Sequence, residues 1–326
     1  MDTVWLIMLV LLVLILLLSA LIWRIGARSQ TPRKLANGYP PEVETKWEKL
    51  SFISNGSKLA SWLLQPASDR MRGKSGLAPL VIIAHGWGSN RSRVLRYARP
   101  IYEAGFAIFM YDARSHGDSE SIAAPSALMF RDDMLAAVSS AKRLPGIDAE
   151  RIIVVGHSLG GFGAILALDH GLQVSGIVTD SMPVHFDTMM KSELKRKRIP
   201  IFPLAYLIPR IWLIRAKISH AQFKEANIPK ILSRHAGSSE AGRTPVLMIH
   251  AEGDPFISAD GLKQLQLELP ENRVSTLFVT GDGHSQSEQD PAFWQRVLPF
   301  LQERALQAVD KKEARGTRLQ ASRENI

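Results

Sequence analysis

The 326-residue sequence contains no cysteine. A disulfide framework, a thiolate metal site and a cysteine nucleophile are therefore excluded, and any nucleophile must be an oxygen or an amine. Acidic residues are in deficit, with 31 Asp and Glu against 40 Lys and Arg and a formal charge of +9. Such an excess fits nucleic acid or an anionic surface, and its placement decides between them. No internal repeat is visible. Apolar residues, by contrast, make up 46% of the chain, enough for one large domain with a sizeable core and no need of a second.

Val4 to Trp23 is an uncharged, mostly apolar run, long enough at about 20 residues to cross a hydrocarbon core of about 30 Å. A cleaved signal peptide is the competing reading, and it wants a basic start, a shorter apolar stretch and a small-x-small cleavage site. Only Asp2 precedes the run and Trp23-Arg24 follows it, which favours an uncleaved single-pass anchor. Arg24, Arg28, Arg33 and Lys34 lie on its C-terminal side, which predicts that the body of the protein is cytoplasmic. Residues 1–29 thus read as anchor and basic flank. Residues 30–46, with three prolines and Asn37-Gly38, read as a linker, so that a chain starting near Gly38 is expected to stay active.

From Trp47 the pattern changes. Lys49–Ile53 and Lys58–Leu64 flank Asn55-Gly56, a dipeptide suited to the positive φ angles of a hairpin turn. Leu80–Ala84 is continuously apolar, as a parallel strand buried on both faces should be. Similar runs recur at Phe106–Tyr111, Arg151–Val155, Val174–Val178, Pro245–His250 and Val274–Val279. Helical stretches separate most of them, which predicts an α/β domain over 47–306 with a doubly wound, mostly parallel sheet. Residues 181–239 are too long for an ordinary connection and read as an inserted helical cap. Residues 307–326 are polar and charged and read as a flexible tail.

Gly156-His157-Ser158-Leu159-Gly160 fits G-x-S-x-G between a strand and a helix-like segment. That setting suits a nucleophile raised on a strained turn, with glycines allowing close approach. A Gly/Ser-rich helix entry is the bland alternative. Serine needs a base to take its proton and a third group to hold the base. The order expected is serine, acid, histidine, and His284 is the only histidine after Asp254. Asp254 follows the strand Pro245–His250, at the sheet edge where catalytic groups gather. Asp180 and Glu252 are rival acids, and His85, His116 and His157 are structural candidates because they precede the serine. In His85-Gly86-Trp87-Gly88 a loop after a strand offers the Trp87 N–H, which with the Leu159 N–H makes the natural oxyanion pair.

These motifs, together with Tyr111-Asp112-Ala113-Arg114-Ser115-His116-Gly117-Asp118-Ser119, resemble the α/β-hydrolase superfamily over about residues 48–306. Within it they are similar to membrane-associated esterase-like and serine aminopeptidase-like members. The resemblance implies a hydrolase without cofactor and supports Trp87 and Leu159 as oxyanion donors. No metal ligands are assigned. The serine at the elbow sets the chain apart from the dehalogenase and epoxide-hydrolase branches.

Between Met182 and Lys230 ten Lys or Arg face three acids, interleaved with residues such as Phe202, Tyr206 and Trp212. Basic residues beside bulky apolar ones favour an anionic bilayer surface over a merely solvated lid. Nucleic acid is disfavoured, because the charge clusters beside an anchor and no nucleic-acid-binding signature accompanies it. The expected activity is hydrolysis of an ester or thioester with a hydrophobic acyl group, through an acyl-enzyme on Ser158. A peptidase acting on small substrates and a non-catalytic membrane scaffold are the alternatives.

Overall fold

The structure is a computed structural model that describes residues 3–38, 47–66, 71–72, 76–185, 192, 195, 202, 204–237 and 242–324, with side chains as far as 308. Strands β1 (Trp47–Ser54) and β2 (Ser57–Leu64) form the expected hairpin. Asn55 and Gly56 carry φ of 45° and 80°, the left-handed values that a two-residue turn of this hand requires. The remaining strands are β3 (Ala78–Ala84), β4 (Ala107–Tyr111), β5 (Ile147–His157), β6 (Gly176–Asp180), β7 (Val246–Ala251) and β8 (Ser275–Val279). They join one 8-stranded sheet in the order β1-β2-β4-β3-β5-β6-β7-β8, parallel from β4 to β8. Strand β6 starts two residues later than the apolar pattern predicts, so Asp180 closes it.

The helices are α1 (Thr3–Ser29), α2 (Ala98–Glu103), α3 (Ala127–Ala141), α4 (Leu159–Leu168), α5 (Leu204–Arg215), α6 (His220–Glu225), α7 (Ile228–His235), α8 (Asp260–Glu268) and α9 (Pro291–Glu324). Leu80, Ile82 and Ala84 of β3 face a core with α3, α4, α7 and α8. Val81 and Ile83 face the opposite core, with Ile101 of α2 and Phe293, Val297 and Leu301 of α9. Burial on both faces is why β3 reads as an unbroken apolar run. In the cap, α6 opens with a capping box at Ser219 and Gln222, and α7 with an Asn227 side chain on the Lys230 N–H, which satisfies donors at the helix starts. The basic residues 196–198 lie outside the described residues. The segment read as a tail continues α9 to Glu324, in keeping with its many good helix formers.

Helix α1 has the length and composition to cross a membrane, with a mean hydropathy of 3.2 over its most apolar window. Its last turns lie against α5. Trp212 Nε1 donates to Gly26 O (2.9 Å) and Ser29 Oγ (3.0 Å), and Arg215 Nη1 to Ala27 O (3.1 Å) and Gln30 Oε1 (2.6 Å). The segment after α1 is no loose linker either. Asn90 Nδ2 donates to Leu35 O and Ala36 O, both at 3.0 Å, and Asn37 Nδ2 to Asp112 Oδ2 at 2.8 Å and Asp118 Oδ2 at 3.0 Å.

Asp112 is the hub of this docking. It is fully buried, pairs with the Arg91 guanidinium, and accepts the backbone N–H groups of Arg91 (2.7 Å) and Asp118 (2.8 Å). Burial pushes its carboxyl pKa up, and the Arg91 charge opposes that rise. Removing Asp112 takes from the buried Arg91 its buried partner and leaves it only the half-exposed Asp118, a loss that approaches the about 3–5 kcal/mol of a broken buried pair. Asp112→Ala should therefore destabilise the α/β domain by about that much in denaturant unfolding of the detergent-solubilised protein. A loss below about 1 kcal/mol, the level of an exposed pair, would show that the hub is dispensable.

Candidate active site

Ser158 stands between β5 and α4 with φ 52° and ψ −121°, a conformation costly for a residue with a Cβ. The turn is held by Ser158 N donating to Asp180 O (2.8 Å) and Phe162 N to Ser158 O (3.1 Å). Two glycines make room for it. A Cβ at Gly86 would lie 2.7 Å from Ser158 Cβ, and one at Gly160 would lie 2.5 Å from Ala84 O. Ser158 opens into a cavity of about 560 Å³, which Trp87, Leu159 and His284 also line. The volume is that of a small-molecule site.

His284, on the loop after β8, has Nδ1 2.7 Å from Asp254 Oδ2. Asp254 follows β7, and its Oδ1 accepts the N–H groups of Phe256 (2.8 Å) and Ile257 (3.0 Å). His250 Nε2 lies 2.8 Å from Ile257 O and 3.6 Å from Asp254 Oδ2. Burial pushes the Asp254 carboxyl up, but hydrogen bonds from His250 and His284 outweigh it and hold the group well below the usual carboxylate range. An ionised Asp254 accepts from the His284 Nδ1–H, which leaves Nε2 as the basic nitrogen.

The rival acids lie elsewhere. Glu252 is exposed and pairs with Lys263 Nζ at 3.2 Å. Asp180 accepts from the Tyr97 hydroxyl and lies 3.3 Å from His157 Nδ1. Burial raises its pKa, yet hydrogen bonds from His157, Tyr97 and Ser287 and the attraction of His157 drive it below the carboxylate range. His157 Nε2 in turn lies 3.2 Å from Ser285 Oγ, next in the chain to His284. A second aspartate–histidine pair thus braces the loop that carries the first. The sequence offered no sign of Tyr97 here, and only adjacency to His284 pointed to Ser285.

The loop bearing Trp87 is fixed by neutral imidazoles. Gly88 N donates to His116 Nε2 (3.0 Å) and Ala113 N to His85 Nε2 (3.0 Å), while each ring's Nδ1 meets a backbone carbonyl. Trp87 packs on His116 with ring centroids 5.5 Å apart. The Leu159 N–H is the first amide of α4, among those a helix leaves without an intrahelical acceptor. Trp87 and Leu159 thereby border the cavity beside Ser158. Among the described residues no group of three or more His, Asp or Glu is placed to hold a metal ion.

Residues 81–314 match the family model described as "Alpha/beta hydrolase family". The chain belongs to this family. This alpha/beta hydrolase is 32% identical over 123 residues to the quorum-quenching protein AidA of Acinetobacter baumannii (strain MDR-ZJ06), a stretch covering 36% of this chain and 38% of AidA. The chain thus spans well under half the length of that relative. Among solved structures it is similar to the Pyrococcus furiosus esterase Pf2001, with a TM-score of 0.62 and 19% identity over 84% of this chain and 97% of that one. It is also similar to Est1E of Butyrivibrio proteoclasticus, solved with ferulic acid, with a TM-score of 0.55 and 18% identity over 80% and 99%. At these identities the structural likeness speaks for the fold.

Burial lowers the pKa of His85 and His157 to about 4 and of His116 to about 3, against 6.5 for the free side chain. Below pH 6.5 the unfolded chain therefore binds more protons than the folded one. Stability present at neutral pH is lost as pH falls toward 4, by up to about 1.4 kcal/mol per pH unit for each histidine. Denaturant unfolding across pH 4–7 should show this slope, and His116→Gln should make it shallower. An equal slope in the variant would mean that His116 titrates normally in the fold.

Proposed function

We propose that the protein is a membrane-anchored serine hydrolase that cleaves carboxylic ester or thioester bonds of hydrophobic acyl substrates. The observation that carries this reading is the His284–Asp254 bond presented to the same cavity into which the strained Ser158 opens. Trp87, Trp212, Leu213 and Phe256 give that cavity an apolar wall suited to an acyl chain rather than a charged peptide.

Ser158 Oγ attacks the acyl carbonyl while His284 Nε2 takes its proton. Asp254 holds the imidazole and stabilises its charge. The oxyanion meets the N–H groups of Trp87 and Leu159, the tetrahedral species collapses, and His284 returns the proton to the leaving alcohol or thiol. Water activated through His284 then releases the acid. An uncleaved anchor is supported by the last turn of α1, which is bonded into the domain through Trp212, Arg215 and the buried Gln30. Arg24, Arg28, Arg33 and Lys34 support a cytoplasmic catalytic domain, and the basic cap supports contact with anionic lipid.

Ser158→Ala should abolish both turnover of a short-chain ester and labelling by a fluorophosphonate while the protein remains folded. Near-normal turnover in this variant would overturn the mechanism. Asp254→Asn should lower kcat by as much as about 10⁴-fold, because the amide presents a donor to His284. If Asp180→Asn is the crippling change and Asp254→Asn is mild, the two carboxylates exchange roles.

A further inference from the structure

Helix α5 does two things at once. Its inner side is built onto the end of α1: a Cβ at Gly26 would lie 2.9 Å from Ile211, so the absent side chain is what lets the two helices close. Gln30 Nε2 then ties the start of the following segment to Trp212 O and to Pro125 O, both at 3.1 Å. Both elements line the cavity of Ser158, the first through Gln30, Pro32 and Leu35 and the second through Pro209, Trp212 and Leu213. The segment expected to be a tether is a wall of the site.

The outer side of this region carries large apolar residues four positions apart. Phe202, Tyr206 and Ile214 are 81%, 64% and 64% exposed, and the fourth position of the stripe is the exposed Arg210. Among the described residues nothing covers them, but their place beside the end of α1 says what does. Gly26 to Gln30 lie three to seven residues past Trp23, about 5–10 Å along the helix axis. If Val4 to Trp23 fill the hydrocarbon, α5 sits at head-group depth, where interfacial helices bury an apolar face, aromatic residues collect, and an arginine stem lies along apolar surface with its charge in water.

We infer that α5 is a second membrane-seated element welded to the anchor, and that the gap between α5 and residues 30–35 is an entrance facing the bilayer. The substrate is then a long-chain amphiphilic ester that passes laterally from the membrane to Ser158 without crossing water. The substrate part rests on the serine-hydrolase reading above; the seating of α5 does not.

The test uses the full-length protein in phosphatidylcholine vesicles. Because the chain has no cysteine, Tyr206→Cys, Ile214→Cys and, as control, Leu267→Cys on α8 each give a single site for a fluorescent label. Lipids spin-labelled near the head group should quench the labels at 206 and 214 and spare 267, which is 87% exposed. Equal quenching at all three positions overturns the inference whatever the enzyme does. In parallel, the triple variant Phe202→Ser, Tyr206→Ser, Ile214→Ser should hydrolyse a soluble short-chain ester within twofold of the parent. On a long-chain ester dissolved in the vesicles its rate should fall at least tenfold. Equal rates of parent and variant on the embedded ester overturn lateral entry. A parent protein that labels as expected yet hydrolyses neither ester fails the serine-hydrolase reading and leaves the seating of α5 standing.

Discussion

The site rests on one steric constraint: three backbone segments must meet where side chains would not fit. The loop after β3, the turn after β5 and the first turn of α4 come so close that a methyl group at Gly86 or Gly160 would collide with Ser158 or with Ala84 O. Once those segments touch, much else is determined. Ser158 takes a left-handed conformation, its side chain leaves the sheet, and the amides of Trp87 and Leu159 border the same space. The strain at Ser158 is sustained by hydrogen bonds on both sides of it and by the burial of the whole of α4.

Around that point the fold sets two histidine–carboxylate pairs whose environments differ. His284 lines the cavity with Asp254 buried behind it, whereas the nearly buried His157 meets the cavity at its margin with Asp180 fully buried behind it, the two rings 4.9 Å apart at their centroids. Both carboxylates are held ionised by hydrogen bonds that outweigh burial. The difference lies with the bases. Burial keeps His157 neutral at physiological pH, so it works as a fixed strut, donating at Nδ1 and accepting at Nε2. In the mechanism proposed above, the group that gains and loses a proton in each cycle belongs where solvent and substrate reach it, and His284 lines the cavity.

The sheet was legible because burial on two faces forces apolar runs such as Leu80–Ala84, and the elbow because its glycines answer a local need. Asp254 and Asp180 were not separable by chain order, since both fall between Ser158 and His284 and both close or follow a buried strand; it is the 2.7 Å contact with His284 that sets Asp254 apart. What stayed hidden was the role of residues 30–38. Their contacts run from polar side chains to distant backbone, such as Asn90 to Leu35 O and Gln30 to Pro125 O. No periodicity records such bonds, and a proline-bearing polar stretch reads as a spacer whether or not something receives it. The pairing of α5 with α1 was hidden for a related reason: it depends on the small size of Gly26, which inside an apolar helix looks like any weak helix former.

That Gln30 and Leu35 line the cavity while continuing the chain from α1 bears on proteolytic shedding of the enzyme proposed above. For most tethered enzymes, a cut between span and domain changes the address and leaves the chemistry as it was. Here a cut just after Asn37 would take Gln30, Pro32 and Leu35 out of the cavity lining and, with Asn37, a partner of the buried Asp112. For the proposed anchored hydrolase, the released fragment would be a different catalyst with a wider site, not a soluble copy of the parent.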